Sequence, residues 1–115
     1  MKMRNVLFTL CISLTVLILT ASLDAQSILW QTYTDRAKQA AAANDYNAAE
    51  KLFRSALAEA ESLNDSEMTA LSYANFGAVL SFQKKYVEAE KSFLKAISIR
   101  EERGVADSLD SSSQF

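Results

Sequence analysis

Apolar residues along this chain recur at intervals of three and four. They fall at Trp30, Tyr33, Ala37 and Ala40, then at Tyr46, Ala49, Phe53, Ala56, Ala60 and Leu63. The rhythm returns at Tyr73, Phe76, Gly77 and Leu80, and again at Tyr86, Ala89, Phe93, Ala96 and Ile97. Such spacing lays an apolar stripe along a helix of 3.6 residues per turn. Beyond the N-terminal apolar run no segment alternates with a period of two. Ala, Glu, Lys, Leu and Gln, all good helix formers, dominate. Four helices are predicted, over about 28–43, 46–62, 66–83 and 86–102, and the fold class is all-α.

The breaks between these segments carry their own chemistry. Asn44-Asp45 and Asn64-Asp65 offer side-chain acceptors for the free N–H groups that open the following helix. Glu67 falls three residues after Asn64, a capping-box spacing. Gly104 follows Arg100-Glu101-Glu102-Arg103. A glycine there closes a helix in the left-handed conformation, and the arginines suit the negative end of the helix dipole. Between the third and fourth helices stands only Gln83-Lys84-Lys85-Tyr86. Turns this short join antiparallel neighbours, so the chain reads as two helical hairpins in succession.

The hairpins are copies. "YNAAEKLFRSA" (Tyr46–Ala56) and "YVEAEKSFLKA" (Tyr86–Ala96) share six of eleven residues at a shift of 40. The same shift aligns Tyr33 with Tyr73 and Ala37 with Gly77. A period of this size built from one helical hairpin marks a solenoid. These residues resemble the tetratricopeptide repeat (TPR), whose signature is W-x2-L-G-x2-Y in the first helix and A-x3-F in the second. The second copy reads Tyr73-x2-Phe76-Gly77-x2-Leu80, then Ala89-x3-Phe93 and Ala96. The first reads Tyr33-x2-Arg36-Ala37-x2-Ala40, then Ala49-x3-Phe53 and Ala56.

The resemblance covers about residues 30–103. With a period of 40 rather than 34 it looks like the longer-helix variety, similar to that of kinesin light chain. It implies antiparallel hairpins stacked as a short solenoid, with repeats over about 28–63 and 66–103 and a frayed tail or the start of a third repeat over 104–115. Val105, Leu109 and Phe115 would give such a third repeat a weak apolar edge. Gly77, Ala49 and Ala89 are small because the helices of a hairpin cross closely there. Phe53 and Phe93 fill the gap one turn on, and Tyr46 and Tyr86 pack across the turn. Arg36 replaces the family's apolar residue, as suits a first repeat without an outer neighbour. The family's proline at the end of the second helix is absent.

The N-terminus changes the picture of location. Lys2 and Arg4 precede an uncharged apolar run from Val6 to about Ala21, and "ASLDAQ" follows. This is the layout of a secretory signal peptide over residues 1–25, cut after Ala25, with Ser22 and Ala21 as alternative cleavage points. The alternative is an uncleaved anchor formed by residues 6–23, at the lower margin of the roughly 20 residues a spanning helix needs. Either reading places the repeats outside the cytoplasm, secreted or periplasmic in the first case and held at a membrane in the second. Cys11 lies within this run, so no disulfide framework is expected.

Charge and chemistry then exclude function classes. The chain has a formal net charge of −2, with acids and bases interspersed along helix faces, which argues against a nucleic-acid surface. It has no His for acid–base work. Its only glycines, Gly77 and Gly104, build no phosphate-cradling loop. No catalytic residue, cofactor site or metal site is expected, and the chain is not read as an enzyme.

What the resemblance implies is protein interaction. In TPR proteins the first helix of each hairpin lines a concave groove that takes a peptide or a partner helix. By position the wall here is Gln31, Thr34, Lys38, Ala41, Ala42, Ala74, Asn75, Ala78, Ser81 and Phe82, and Thr34, Lys38, Asn75, Ala78, Ser81 and Phe82 are the candidate partner-binding residues. Asn75 matches one asparagine of the family's carboxylate clamp. Thr34 and Lys38, however, stand where that clamp has a lysine and an asparagine, so a clamp is not expected. The alternative is structural. Val87, Leu94, Ile97 and Ile99 broaden the apolar stripe of the last helix into a docking face for another subunit, for a second copy of the chain, or for the continuation of a longer TPR protein.

Overall fold

The computed structural model describes residues 2–112, with the side chains of Leu23 and of residues 107–112 left aside. It contains four helices in chain order: α1 (Lys2–Ala42), α2 (Tyr46–Ser62), α3 (Ser66–Phe82) and α4 (Tyr86–Ser112). Each packs on the next, α1 on α2, α2 on α3 and α3 on α4. The result is a short all-α solenoid of two hairpins, and the described residues include no strand.

Three connections of three residues join the helices. The middle residue of each takes the left-handed conformation: Asn44 at φ 61°, Asn64 at φ 54° and Lys84 at φ 62°. Asparagine tolerates this region better than other side-chain-bearing residues. Two turns also close with a bond from the residue after the left-handed one. Asp45 N–H donates to Ala40 O at 2.9 Å and Lys85 N–H to Leu80 O at 2.9 Å, the Schellman pattern. The expected caps form: Asp45 Oδ1 accepts from Ala48 N–H at 3.1 Å and Asp65 Oδ1 from Met68 N–H at 2.9 Å. At the third turn the Lys85 side chain has no acceptor to offer, and backbone bonds turn the chain: Lys85 N–H to Leu80 O and Lys84 N–H to Ser81 O at 3.0 Å.

Small residues let the helices approach. Ala37, Ala49, Ala56, Ala60, Ala70, Ala89 and Ala96 are all buried. A Cβ on Gly77 would lie 3.1 Å from the Phe93 ring and 3.2 Å from Ala89 O, so α3 and α4 cross there at the closest separation a glycine allows. Ala37, Ala49, Phe53 and Val79 form one cluster of the core, flanked by Phe76 and Tyr46. Trp30, Ala56 and Ala60 form a second, flanked by Tyr33 and Met68. Trp30, the first residue of the apolar rhythm, is buried and donates its indole N–H to Ser72 Oγ at 2.8 Å. That bond spans α1 and α3 and ties one repeat to the next.

Three expectations change. The first helix does not begin near residue 28, because α1 is continuous from Lys2 through the apolar run into the first hairpin. Its 41 residues span about 60 Å, and the side chains of Val6 to Leu19 stand exposed. By length and composition this helix is able to cross a membrane. Second, Gly104 does not end α4, which runs on to Ser112. The residue after Gly104 is Val105, where the first repeat has the capping Asp65, and valine supplies no acceptor to start a new helix. Third, Tyr86 is not packed across its turn but 64% exposed; Phe93 does seat its ring against Gly77, yet its other side stays open and it is 37% exposed. The apolar contributions expected of Leu109 and Phe115 lie outside the described residues and side chains.

Candidate functional site

The concave wall expected from the first helices is only partly available. Thr34 is 2% exposed and donates its hydroxyl to Trp30 O at 2.8 Å, so it belongs to the interior and not to the wall. Lys38 is exposed. Asn75, Ala78 and Ser81 are half-buried, and Ser81 Oγ donates to Gly77 O at 3.1 Å. Phe82 is 64% exposed, yet one ring face is covered by Tyr46, stacked at 5.2 Å between centroids and 7° between planes. Lys38 and Phe82 are thus the members of this set that present large exposed side chains, on different repeats and, in repeat register, about one helical turn apart.

The junction between the repeats, where α2 meets α3, is well furnished. Tyr46 stacks on Phe82, Phe53 packs with Val79, and the Arg54 guanidinium lies 5.3 Å from the centre of the Phe76 ring. Gln83 Nε2 donates to Asn47 Oδ1 at 3.0 Å. Lys85 Nζ donates to Glu50 at 3.1 Å, and Arg54 reaches the same carboxylate at 3.0 Å. Burial works to raise the Glu50 carboxyl, but the hydrogen bonds from Lys85, Gln83 and Arg54 outweigh it and hold the group below its ordinary value. At the far end Tyr73 donates its hydroxyl to Glu61 at 3.1 Å. Burial, and then that bond to a carboxylate, push the phenol above its ordinary value.

The outer face of α4 presents the opposite situation. Tyr86, Val87, Phe93, Leu94, Ile97 and Val105 are all exposed. At about 100° per residue they fall within an arc of about 120°. From Tyr86 to Val105 the stripe is about 28 Å long at 1.5 Å per residue. Glu90 and Glu101, both exposed, lie inside the same arc. The inner face carries Ala89, Ser92 and Ala96, all buried, and Ser92 Oγ donates to Tyr73 O at 2.8 Å. Arg103 and Arg100 reach Glu67 of α3 at 2.9 and 3.7 Å and clamp the far end. Ile99 does not share the outer face with Val87, Leu94 and Ile97. It is half-buried, more than about 110° around the helix from each of them, and lines a concavity with Glu61, Asn64 and Thr69.

Sequence reasoning placed Val87, Leu94 and Ile97 on this face and missed Tyr86, Phe93 and Val105. The signal for the first two is the repeat itself: their equivalents Tyr46 and Phe53 are covered by α3, and coverage is a property of the neighbour, not of the residue. Ser72 and Ser92, buried polar partners of the inter-helix contacts, carry no local signal. Among the described residues no three His, Cys, Asp or Glu side chains converge as a metal site would require.

Compared with known proteins, the chain matches the family model described as Tetratricopeptide repeat over residues 31–102. No curated protein and no solved structure matches it.

Proposed function

Because the chain belongs to the tetratricopeptide repeat family, whose repeats mediate protein–protein interaction and whose members are typically non-catalytic scaffolds, we propose that it is an exported docking module. It binds a protein partner along the outer face of α4. The observation that carries this reading is the exposed stripe of Tyr86, Val87, Phe93, Leu94 and Ile97, extended past Glu101 by Val105. Six apolar side chains on one helix face leave several hundred square ångströms uncovered, the size of patch that marks an interaction site on a soluble domain.

The test is co-purification from the extracytoplasmic fraction. Leu94→Glu and Ile97→Glu, both at exposed positions, are expected to remove the partner while leaving the far-ultraviolet circular dichroism unchanged. A partner set identical to that of the unsubstituted chain would sink the proposal. A peptide in the concave groove is a second reading, favoured by the exposed Phe82, and Phe82→Glu with Asn75→Ala in the same experiment separates the two faces.

Export rests on the basic, apolar and small-residue order of residues 1–25. Mass spectrometry of the mature protein is expected to show a new N-terminus near Gln26. A protein that still begins at Met1 and partitions with membranes selects the anchored form instead.

A further inference from the structure

The internal repeat identifies what the α4 stripe is built to receive. Moving 40 residues along the chain carries α2 onto α4, and the α2 residues that meet α3 become the exposed residues of the stripe. Tyr46, which stacks on Phe82, becomes Tyr86. Phe53, packed with Val79, becomes Phe93, and Arg54, over the Phe76 ring, becomes Leu94. Glu50, paired with Lys85, becomes Glu90, and Glu61, which accepts from Tyr73, becomes Glu101. The α4 face therefore keeps the aromatic and acidic anchors that α2 uses to hold a helix. It exchanges the polar Asn47 and Arg54 for Val87 and Leu94.

We infer that the stripe takes one antiparallel amphipathic helix from a separate protein, resting on the docking role proposed above. The spacing follows from α3. Such a helix carries a hydrogen-bond donor at the position of Tyr73 to meet Glu101, and apolar residues at the positions of Phe76, Val79 and Phe82. Past the end of the helix, in a turn equivalent to the one that carries Lys85 after α3, it has a cation to meet Glu90. Its middle is more apolar than α3, because Leu94 offers no charge.

Two other occupants fit less well. The chain's own continuation is led away from the stripe. In the first repeat the chain turns at Leu63-Asn64-Asp65 and returns as α3, whereas at the equivalent Arg103-Gly104-Val105 it stays helical to Ser112. Ten further residues of helix beyond the equivalent of Ser62 carry it about 15 Å past the point of return. A second copy meets like charge. Two α4 helices paired antiparallel about the centre of the stripe set Glu90 of each against Glu101 of the other. Stacking α1 of a second copy as α3 stacks on α2 puts Asp45 at the place of Lys85, against Glu90, and Arg36 at the place of Phe76, against Leu94.

The probe is a fluorescein-labelled peptide of residues 66–85, stapled as a helix within the α3 span 66–82 and left free to turn at 83–85, titrated into the purified full chain and read by anisotropy. Saturable one-to-one binding is expected, weakened at least tenfold by Leu94→Glu or Ile97→Glu. Lys85→Glu in the peptide is expected to weaken it about 2- to 5-fold, as suits an exposed ion pair, and Glu90→Lys in the protein to restore it. Absence of binding, or a purified chain whose dimer is dissolved by Leu94→Glu in sedimentation, overturns the inference in favour of no helix or of a second copy. Binding that Leu94→Glu abolishes but the charge exchange leaves unmoved overturns the basic helix alone and keeps the docking face. Binding indifferent to Leu94→Glu removes both.

Discussion

Ser72→Ala isolates the buried side-chain hydrogen bond that, beside the more exposed polar contacts of the junction, ties the two repeats together. Ser72 is 1% exposed and its Oγ accepts the indole N–H of Trp30, itself 8% exposed, at 2.8 Å. The substitution removes one oxygen and creates almost no cavity, so the cost is that of a buried donor left without an acceptor, about 1–3 kcal/mol. In a domain of this size each kcal/mol moves Tm by about 4–8 °C, giving an expected fall of about 5–20 °C. Urea unfolding of the full chain, followed by circular dichroism, measures the loss. Trp30→Phe, made alone and together with Ser72→Ala, completes a double-mutant cycle. The two residues are expected to couple by about 1 kcal/mol or more, because removing the acceptor costs little once the donor is gone. A Ser72→Ala loss under about 0.5 kcal/mol, or additive behaviour in the cycle, refutes the role assigned to this bond.

Three further outcomes follow from the local geometry. Lys84 holds φ 62° without the tolerance of the asparagines in the other turns, so Lys84→Gly is expected to raise stability by about 0.5–1 kcal/mol in urea unfolding, the relief of the left-handed strain less the added freedom of the unfolded chain. Gly77→Ala places a Cβ 3.1 Å from the Phe93 ring and 3.2 Å from the Ala89 carbonyl oxygen, which belongs to the α4 backbone and cannot swing aside. It is expected to cost about 1–3 kcal/mol in urea unfolding despite its better helix propensity, and Gly77→Val more. The Glu50 carboxyl, held low despite its burial by Lys85, Gln83 and Arg54, contributes stability that is full above the unfolded-state value of about 4.3 and lost as the pH falls through the folded-state value. Between about pH 6 and about pH 3 the parent chain is therefore expected to lose more stability than Glu50→Gln, measured by thermal unfolding.

Most of the scaffold was legible because its determinants are local. The starts of α2, α3 and α4 fall where the apolar rhythm placed them, and Asp45 and Asp65 supply the caps, whereas the Asn64–Glu67 capping-box spacing goes unused: Asn64 is the left-handed turn residue and Glu67 pairs with Arg100 and Arg103. Gly104 misled because glycine permits a helix to end but does not compel it. The ending also needs a following residue that starts something new, and Val105 does not. Thr34 was assigned to the groove by its register on the helix. Its hydroxyl satisfies itself on Trp30 O, which lets a nominally polar residue sink into the interior. Tyr86 and Phe93 repeat the letters of Tyr46 and Phe53, yet only the first pair is covered. The Trp30–Ser72 bond joins residues 42 apart in sequence and depends on how one hairpin sits on the next, which no window of sequence contains.

The continuity of α1 gives the N-terminal segment a second meaning in any form of the protein that keeps it. The N-terminal segment and the first hairpin share one helix with no joint between them, so the link transmits rotation as well as distance. Each residue inserted between Ala21 and Trp30 turns the repeats by about 100° and lifts them by about 1.5 Å. Two added residues swing the α4 face to nearly the opposite side, and seven bring it almost back to its starting bearing about 10 Å higher. The length of this segment then acts as an angular setting, fixing the compass direction from which a partner approaches.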